Sequence, residues 1–280
     1  MKSSKKMKLG IFGGFEGALD YLGLEENAVF IFSPYKNILT SYNGNAIKVQ
    51  RSSDFNSEWF EYKEDGLLDT TGILSFCGAN DGLVEEVSNL SNTSYNATQT
   101  TLNYKPKIVE SGVLNTNGVK FDAVDDFMNV SKYTAINITD HPLSVFVQAY
   151  TPSYANGYYM TVNTDSGTTL QYGLYNLSST LNWKLNTNTA QVAYQNSTKE
   201  NMLGVYKDGG TNAQIAKTNN NEGLSTYAAT LGEQDFFNIG ARSADVSNST
   251  QSVFYNGYIK TIIIFNSNVY DKYQALVNNI

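Results

Sequence analysis

The chain has 280 residues, of which 41% are hydrophobic and 13% aromatic, so it holds enough apolar material for a folded core and is not a disordered chain. Its net charge of −7 is unevenly spread. Four lysines fall within the first eight residues, and the rest of the chain carries about −11. Because an acidic body repels phosphate backbones, we expect no nucleic-acid partner.

The chain has one cysteine and one histidine, which limits its chemistry. A single cysteine excludes an intramolecular disulfide, and the apolar run from Ile73 to Cys77 predicts that the thiol is buried. His141 stands before Pro142 and is interpreted as structural. We therefore predict no histidine-rich metal site, no catalytic serine–histidine pair and no cofactor.

Residues 1–30 are predicted to form an N-terminal arm, and residues 31–280 a single domain. The arm starts with lysines and glycines, and its apolar segment is too short for a signal peptide, so we expect no export signal and no membrane partner. We expect Phe12, Phe15 and Leu19 to dock the arm onto another protein or onto a second copy of the chain. The alternative is that the arm folds back on its own domain.

The remaining elements indicate an all-β protein with few short helices. Residues 46–51 alternate between apolar and polar side chains, as a half-buried strand does. Asp69 is a predicted N-cap for a helix ending near Gly78, and a second short helix is predicted at 270–278. After residue 100, short strand-like runs such as 107–110, 118–122, 143–150 and 253–265 are separated by Asn, Gly and Asp clusters. This spacing predicts a sandwich of two antiparallel sheets.

Several short blocks between residues 38 and 128 occur in a recognisable order. They include Ser41-Tyr42-Asn43-Gly44, the run from Ile47 to Asp54, Pro106-Lys107-Ile108-Val109 and the run from Val119 to Phe127. Together they resemble the concanavalin A-like (laminin-G-like) domain of the fungal arabinofuranosidase B family. They are even more similar to related domains in structural proteins of tailed bacteriophages. The resemblance implies a jelly-roll sandwich of the lectin/glucanase type.

One block departs from the enzyme pattern, because residues 86–95 lack the Asp and the glycines found there in the enzymes. Seven acidic residues are candidates for a carboxyl pair, but the sequence pairs none of them: Asp54, Glu58, Glu61, Asp81, Glu85, Asp125 and Asp126. We interpret the last two as a turn cap, with a calcium site as an alternative. We therefore expect no catalytic residues and no enzymatic activity.

The resemblance implies a non-catalytic structural protein of a tailed-phage virion, either a head fibre or a capsid decoration protein. It would be made in the host cytoplasm and located in the virion, with other virion proteins as partners through the arm. The alternatives are a glycoside hydrolase of the arabinofuranosidase B type and a secreted bacterial carbohydrate-binding module.

Aromatic side chains near predicted loops and strand ends provide the candidates for glycan binding, because a flat ring can cover the face of a sugar. They are Trp59, Tyr95, Tyr158 and Trp183. Ordinary sheet packing is the alternative for each of them.

Overall fold

A computed structural model describes residues 16–131, 142–152, 156–163, 170–177, 180–185, 188–193, 199–206, 213–218, 221–226, 236–243 and 251–280. Phe12, Phe15 and His141 lie outside these ranges, so the predictions made for them are not addressed by the structure. No helix in the described ranges is long and apolar enough to cross a membrane.

Strands dominate the described ranges, which confirms the predicted all-β class. They are Ala28–Phe32 (β1), Asn45–Arg51 (β2), Ser57–Glu61 (β3), Gly82–Val87 (β4), Ala97–Thr98 (β5), Lys107–Glu110 (β6), Val113–Leu114 (β7), Val119–Asp122 (β8), Met128–Val130 (β9), Leu143–Tyr150 (β10), Gly157–Asn163 (β11), Leu170–Leu177 (β12), Thr180–Leu185 (β13), Asn188–Ala193 (β14), Lys199–Tyr206 (β15), Ala213–Thr218 (β16), Asn221–Thr226 (β17), Phe236–Ile239 (β18), Arg242–Ser243 (β19), Gln251–Ser252 (β20) and Asn256–Phe265 (β21). The α-helices are Ala18–Leu22 (α1), Thr70–Cys77 (α2) and Tyr273–Asn279 (α3).

The strands form two antiparallel layers that are joined at β4. One layer follows the order β14-β13-β12-β11-β18-β9-β5-β4-β2-β3. The other follows β17-β16-β15-β10-β21, and β21 then pairs with β1 along one half and with β8 along the other. Strand β8 continues through β6 to β4, so the sheet turns a corner there.

The main core lies between the layers. Val145 and Val147 of β10 and Tyr172 and Leu174 of β12 belong to one buried cluster, although they come from opposite layers. Because side chains alternate across a strand, every second residue of the strands around β4 faces outward instead. Those outward positions build the pocket described below.

A second apolar cluster covers the outer side of the β10–β21 layer. Leu19 of α1 and Leu276 of α3 are fully buried in it together with Phe146. The prediction that Leu19 contacts a partner protein is therefore wrong, because its side chain is enclosed by its own chain. The division into an arm at 1–30 and a domain at 31–280 stays a prediction.

Helix α2 confirms a local prediction. The carboxylate of Asp69 accepts a hydrogen bond from the Gly72 amide at 3.1 Å, which satisfies one of the free donors of the first turn. Cys77 at the other end is fully buried, as its apolar run predicted.

Candidate active site

An open pocket of about 450 Å³ lies on the outer side of the corner at β4. Strands β4, β6 and β8 form its floor, and the loops around residues 52–55, 102–105 and 122–126 form its rim. Four carboxyl groups and three lysines line it: Asp81, Glu110, Asp122, Asp126, Lys105, Lys107 and Lys120. We call it the acidic pocket.

Backbone strain in the described residues is concentrated around this pocket. The four non-glycine residues with positive φ are Phe55, Ser111, Ala123 and Val253. Phe55 lines the pocket, and Ser111 and Ala123 directly follow the lining residues Glu110 and Asp122. The amide of Ala123 donates to the carbonyl of Tyr255, two residues after Val253. Each such conformation costs on the order of 1–3 kcal/mol and persists where the surrounding structure enforces it, typically at functional sites.

Two of the pocket lysines are neutralised by direct ion pairs. Lys107 Nζ lies 2.8 Å from Asp81 Oδ2, and Lys120 Nζ lies 2.7 Å from Glu110 Oε1. Burial alone would raise the pKa of Asp81, but the hydrogen bonds from Lys107 and from the Ser111 amide outweigh it, and the pKa falls below its ordinary value. The carboxylate of Asp81 is therefore ionised, and it is already bound by Lys107 and by the Ser111 amide.

Asp126 has different surroundings, although it lines the same pocket. Its side chain is only 5% exposed. Burial, followed by the nearby charges of Asp122 and Asp125, raises the pKa of Asp126 to about 8. At neutral pH, Asp126 is therefore a protonated carboxylic acid that can donate a proton.

Asp122, Asp125 and Asp126 form a close group in which one carboxylate oxygen from each residue lies within 4.8 Å of the other two. Asp122 caps the turn, since its Oδ1 accepts the amides of Val124 at 2.8 Å and Asp125 at 3.3 Å. The prediction that Asp125 and Asp126 act as the turn cap is therefore corrected to Asp122. The three oxygens are of the type that Ca²⁺ prefers, but they are about half of the six to eight that this ion takes.

Lys105 carries a positive charge into the wall of the acidic pocket, with only 4% of the residue exposed. Its Nζ lies 3.0 Å from Gln50 Oε1 and 3.3 Å from Glu85 Oε2. Glu85 also accepts from Lys48 Nζ at 2.7 Å and from Ser57 Oγ at 2.8 Å. Burial would raise the pKa of Glu85, but these donors outweigh it and lower the pKa, so Glu85 stays ionised.

The four aromatic residues predicted to bind glycan do not form one site. Trp183 is fully buried in the main core, and its indole donates to the carbonyl of Val205 at 3.3 Å, so the prediction for Trp183 is wrong. Tyr158 is only 7% exposed and stacks on Tyr175 with 4.6 Å between ring centroids. Tyr95 is partly buried against the main core.

Trp59 is the member of this set that stays partly exposed at a sheet edge. It lies on β3, which among the described strands pairs with β2 alone, and it lines a second cleft of about 580 Å³ beside α2. The sequence indicated Trp59 but not the acidic pocket, because the pocket residues are spread from position 52 to position 126.

No family model and no curated protein matches the chain. Solved structures do match in fold. An arabinofuranosidase complexed with arabinofuranosyl-α-1,2-xylobiose superposes with a TM-score of 0.63 at 13% identity, over 93% of this chain and 64% of that one. A GH54 α-L-arabinofuranosidase soaked with a cyclic sulfate inhibitor gives 0.61 with the same identity and coverage. A sialidase from Trypanosoma rangeli gives 0.50 at 9% identity, over 82% of this chain and 44% of that one.

These matches correct the functional expectation drawn from the sequence. The prediction of a non-catalytic structural protein of a phage virion is wrong, because the chain superposes over nearly its full length on glycoside hydrolases. The predicted virion location is not tested by the matches, and they lend no support to virion partners or to an oligomer. The chain is similar in fold to carbohydrate-active β-sandwich proteins, and it spans 64% of the length of the arabinofuranosidases.

Proposed function

We propose that the chain is a glycoside hydrolase whose active site is the acidic pocket. The observation that carries the proposal is the pair Asp122 and Asp126, whose oxygens lie within 4.8 Å in an open pocket with one of the two acids buried. Glycoside hydrolysis needs a carboxylic acid and a carboxylate flanking the scissile bond. The fold shared with arabinofuranosidases supports this reaction class.

One oxygen of Asp122 and one of Asp126 lie at most 4.8 Å apart, which is shorter than the spacing of inverting enzymes and therefore favours hydrolysis with retention of configuration. Retaining enzymes place these groups about 5–5.5 Å apart, whereas inverting enzymes leave about 6.5–9.5 Å for a water molecule. Asp126 would donate its proton to the leaving glycosidic oxygen while the exposed Asp122 carboxylate attacks the anomeric carbon. Water would then attack the glycosyl–Asp122 ester, and Asp126 would take back a proton.

The test compares the wild-type chain with Asp126→Asn on arabinan, arabinoxylan and 4-nitrophenyl α-L-arabinofuranoside. Loss of a general acid lowers the rate by about 10²–10⁴-fold, so we expect the variant to release almost no sugar. Asp125→Asn is the matched control, because it removes a neighbouring charge from the same group but not from the pocket lining. We expect it to keep at least a tenth of the wild-type rate, by the same scale.

A wild-type chain that releases no sugar from any of these glycans would contradict the proposal. So would an Asp126→Asn variant that is as active as the wild type.

A further inference from the structure

The outer side of the β4 corner continues from the acidic pocket to the sheet edge at Trp59. One row of paired residues runs Lys120, Lys107, Leu83, Gln50 and Ser57, across β8, β6, β4, β2 and β3. The first three residues line the acidic pocket. Ser57 lies two residues before Trp59, and therefore on the same face of β3.

Hydrogen bonds fix this surface along its length. Glu85 of β4 accepts from Lys48 of β2, from Ser57 of β3 and from the pocket residue Lys105, at 2.7, 2.8 and 3.3 Å. These contacts join three strands through one carboxylate, so the path between the pocket and β3 has a defined shape. The whole row from Lys120 to Ser57 crosses four interstrand steps, about 19 Å at the usual strand spacing of about 4.8 Å, and the last two steps lie beyond the pocket lining.

Trp59 marks the far end of the path. The residue is half-buried and lines the second cleft beside α2. Among the described residues, no acceptor pairs with its indole N–H. A partly exposed indole with an open donor suits the face and hydroxyl groups of a sugar.

We propose that a polysaccharide chain occupies this track, with its cleaved end in the acidic pocket and a remote sugar on Trp59. The inference rests on the proposed function for the pocket, and it specifies an extended glycan rather than a small glycoside as the ligand. The track offers hydroxyl, amide and charged groups that are already held in place, so a sugar chain can hydrogen-bond to it with little reordering of side chains.

The test measures binding separately from cleavage. Asp126→Asn replaces the protonated acid by an amide of the same shape, so it keeps a bound polysaccharide intact. In that background, Trp59→Ala is compared with Tyr270→Ala, which removes a half-buried ring beside α3, far from the track in sequence and on a different element. Retardation of each protein in gels containing arabinan or arabinoxylan gives the dissociation constant for the polymer.

We expect Trp59→Ala to weaken polymer binding by about tenfold, and Tyr270→Ala to leave it unchanged. In the otherwise wild-type chain, Trp59→Ala should leave KM for 4-nitrophenyl α-L-arabinofuranoside unchanged, because that ligand is shorter than the row of about 19 Å that leads to Ser57. Polymer binding that depends on Trp59 supports the track, whether or not the wild type releases sugar. If the wild type releases no sugar but binds the polymer through Trp59, the proposed hydrolase activity is rejected and the track is kept.

Equal retardation of Trp59→Ala and its parent would overturn the proposal. The proposal would also be overturned if neither arabinan nor arabinoxylan retards the parent protein. A rise in KM for the small glycoside as large as the loss of polymer binding would show that Trp59 acts on the pocket itself, and would overturn the extended track.

Discussion

Glu85 and Asp126 are carboxyl groups beside the same pocket, one bound to the pocket lysine Lys105 and the other in the lining, and their surroundings give them opposite chemistry. Glu85 is surrounded by the donors Lys48, Ser57 and Lys105, and its pKa is lowered. Asp126 is more deeply buried and has two other aspartates beside it, and its pKa is raised to about 8. The difference shows that burial and the charges of the neighbours together decide whether an acid stabilises the fold or stays available for proton transfer.

Removing the charge of Glu85 should destabilise the fold. Glu85→Gln leaves the ammonium of Lys105, whose side chain is 3% exposed, without its counter-charge. We expect the free energy of unfolding to fall by about 1–3 kcal/mol, measured by urea denaturation. Adding Lys105→Met should recover part of the loss. A double variant as unstable as the sum of the two single variants would show that the ion pair is not the cause.

Placing a cation beside Asp126 should lower the pKa of Asp126, as the lysines beside Glu85 lower the pKa of Glu85. In Asp125→Lys, an ammonium replaces a carboxylate that helps to raise the pKa of Asp126. A fall in this pKa by about two units would reduce the protonated fraction at pH 7, and with it the hydrolysis rate, by about tenfold. The rate should recover near pH 5. A rate that stays low at pH 5 would point to a disrupted pocket instead of a shifted acid.

The pH dependence of stability should also separate Asp126 from Glu85. An aspartate in the unfolded chain loses its proton near pH 4, whereas Asp126 in the folded chain keeps it up to about pH 8. Between these values the folded state binds more protons, so the stabilisation that is full below pH 4 is lost as the pH rises towards 8. The free energy of unfolding is measured against pH for the wild type and for Asp126→Asn. The difference between the two curves isolates the contribution of Asp126. A flat difference curve would contradict the raised pKa.

Local patterns allowed parts of the fold to be predicted from the sequence. The helix behind Asp69 and the strand at 143–150 were predictable because helix capping and the β-branched and aromatic bias of an inner strand are local properties of the sequence. Strands β3 and β4 were missed. Their Glu-rich segments, Ser57–Glu61 and Gly82–Val87, carry outward charges that mask the alternation.

The acidic pocket could not be predicted, because its chemistry depends on strand register. Asp81 and Lys107 meet only because β4 pairs with β6. The burial of Trp183 also depends on a distant residue. Gly204 of β15 provides the space for the indole, since a Cβ there would come within 2.3 Å of the ring. Aromatic type and predicted loop position therefore did not distinguish Trp183 from Trp59.

The most direct measurement is a carbon-13 NMR titration of the side-chain carboxyl carbons of Asp126 and Glu85 in one sample. The two signals can be assigned by comparison with Asp126→Asn and Glu85→Gln. The account predicts that Asp126 titrates near pH 8, while Glu85 titrates below the ordinary range of a glutamate. If both carboxyl groups titrate together near pH 4, Asp126 is not a proton donor at neutral pH, and the proposed role of the acidic pocket is wrong.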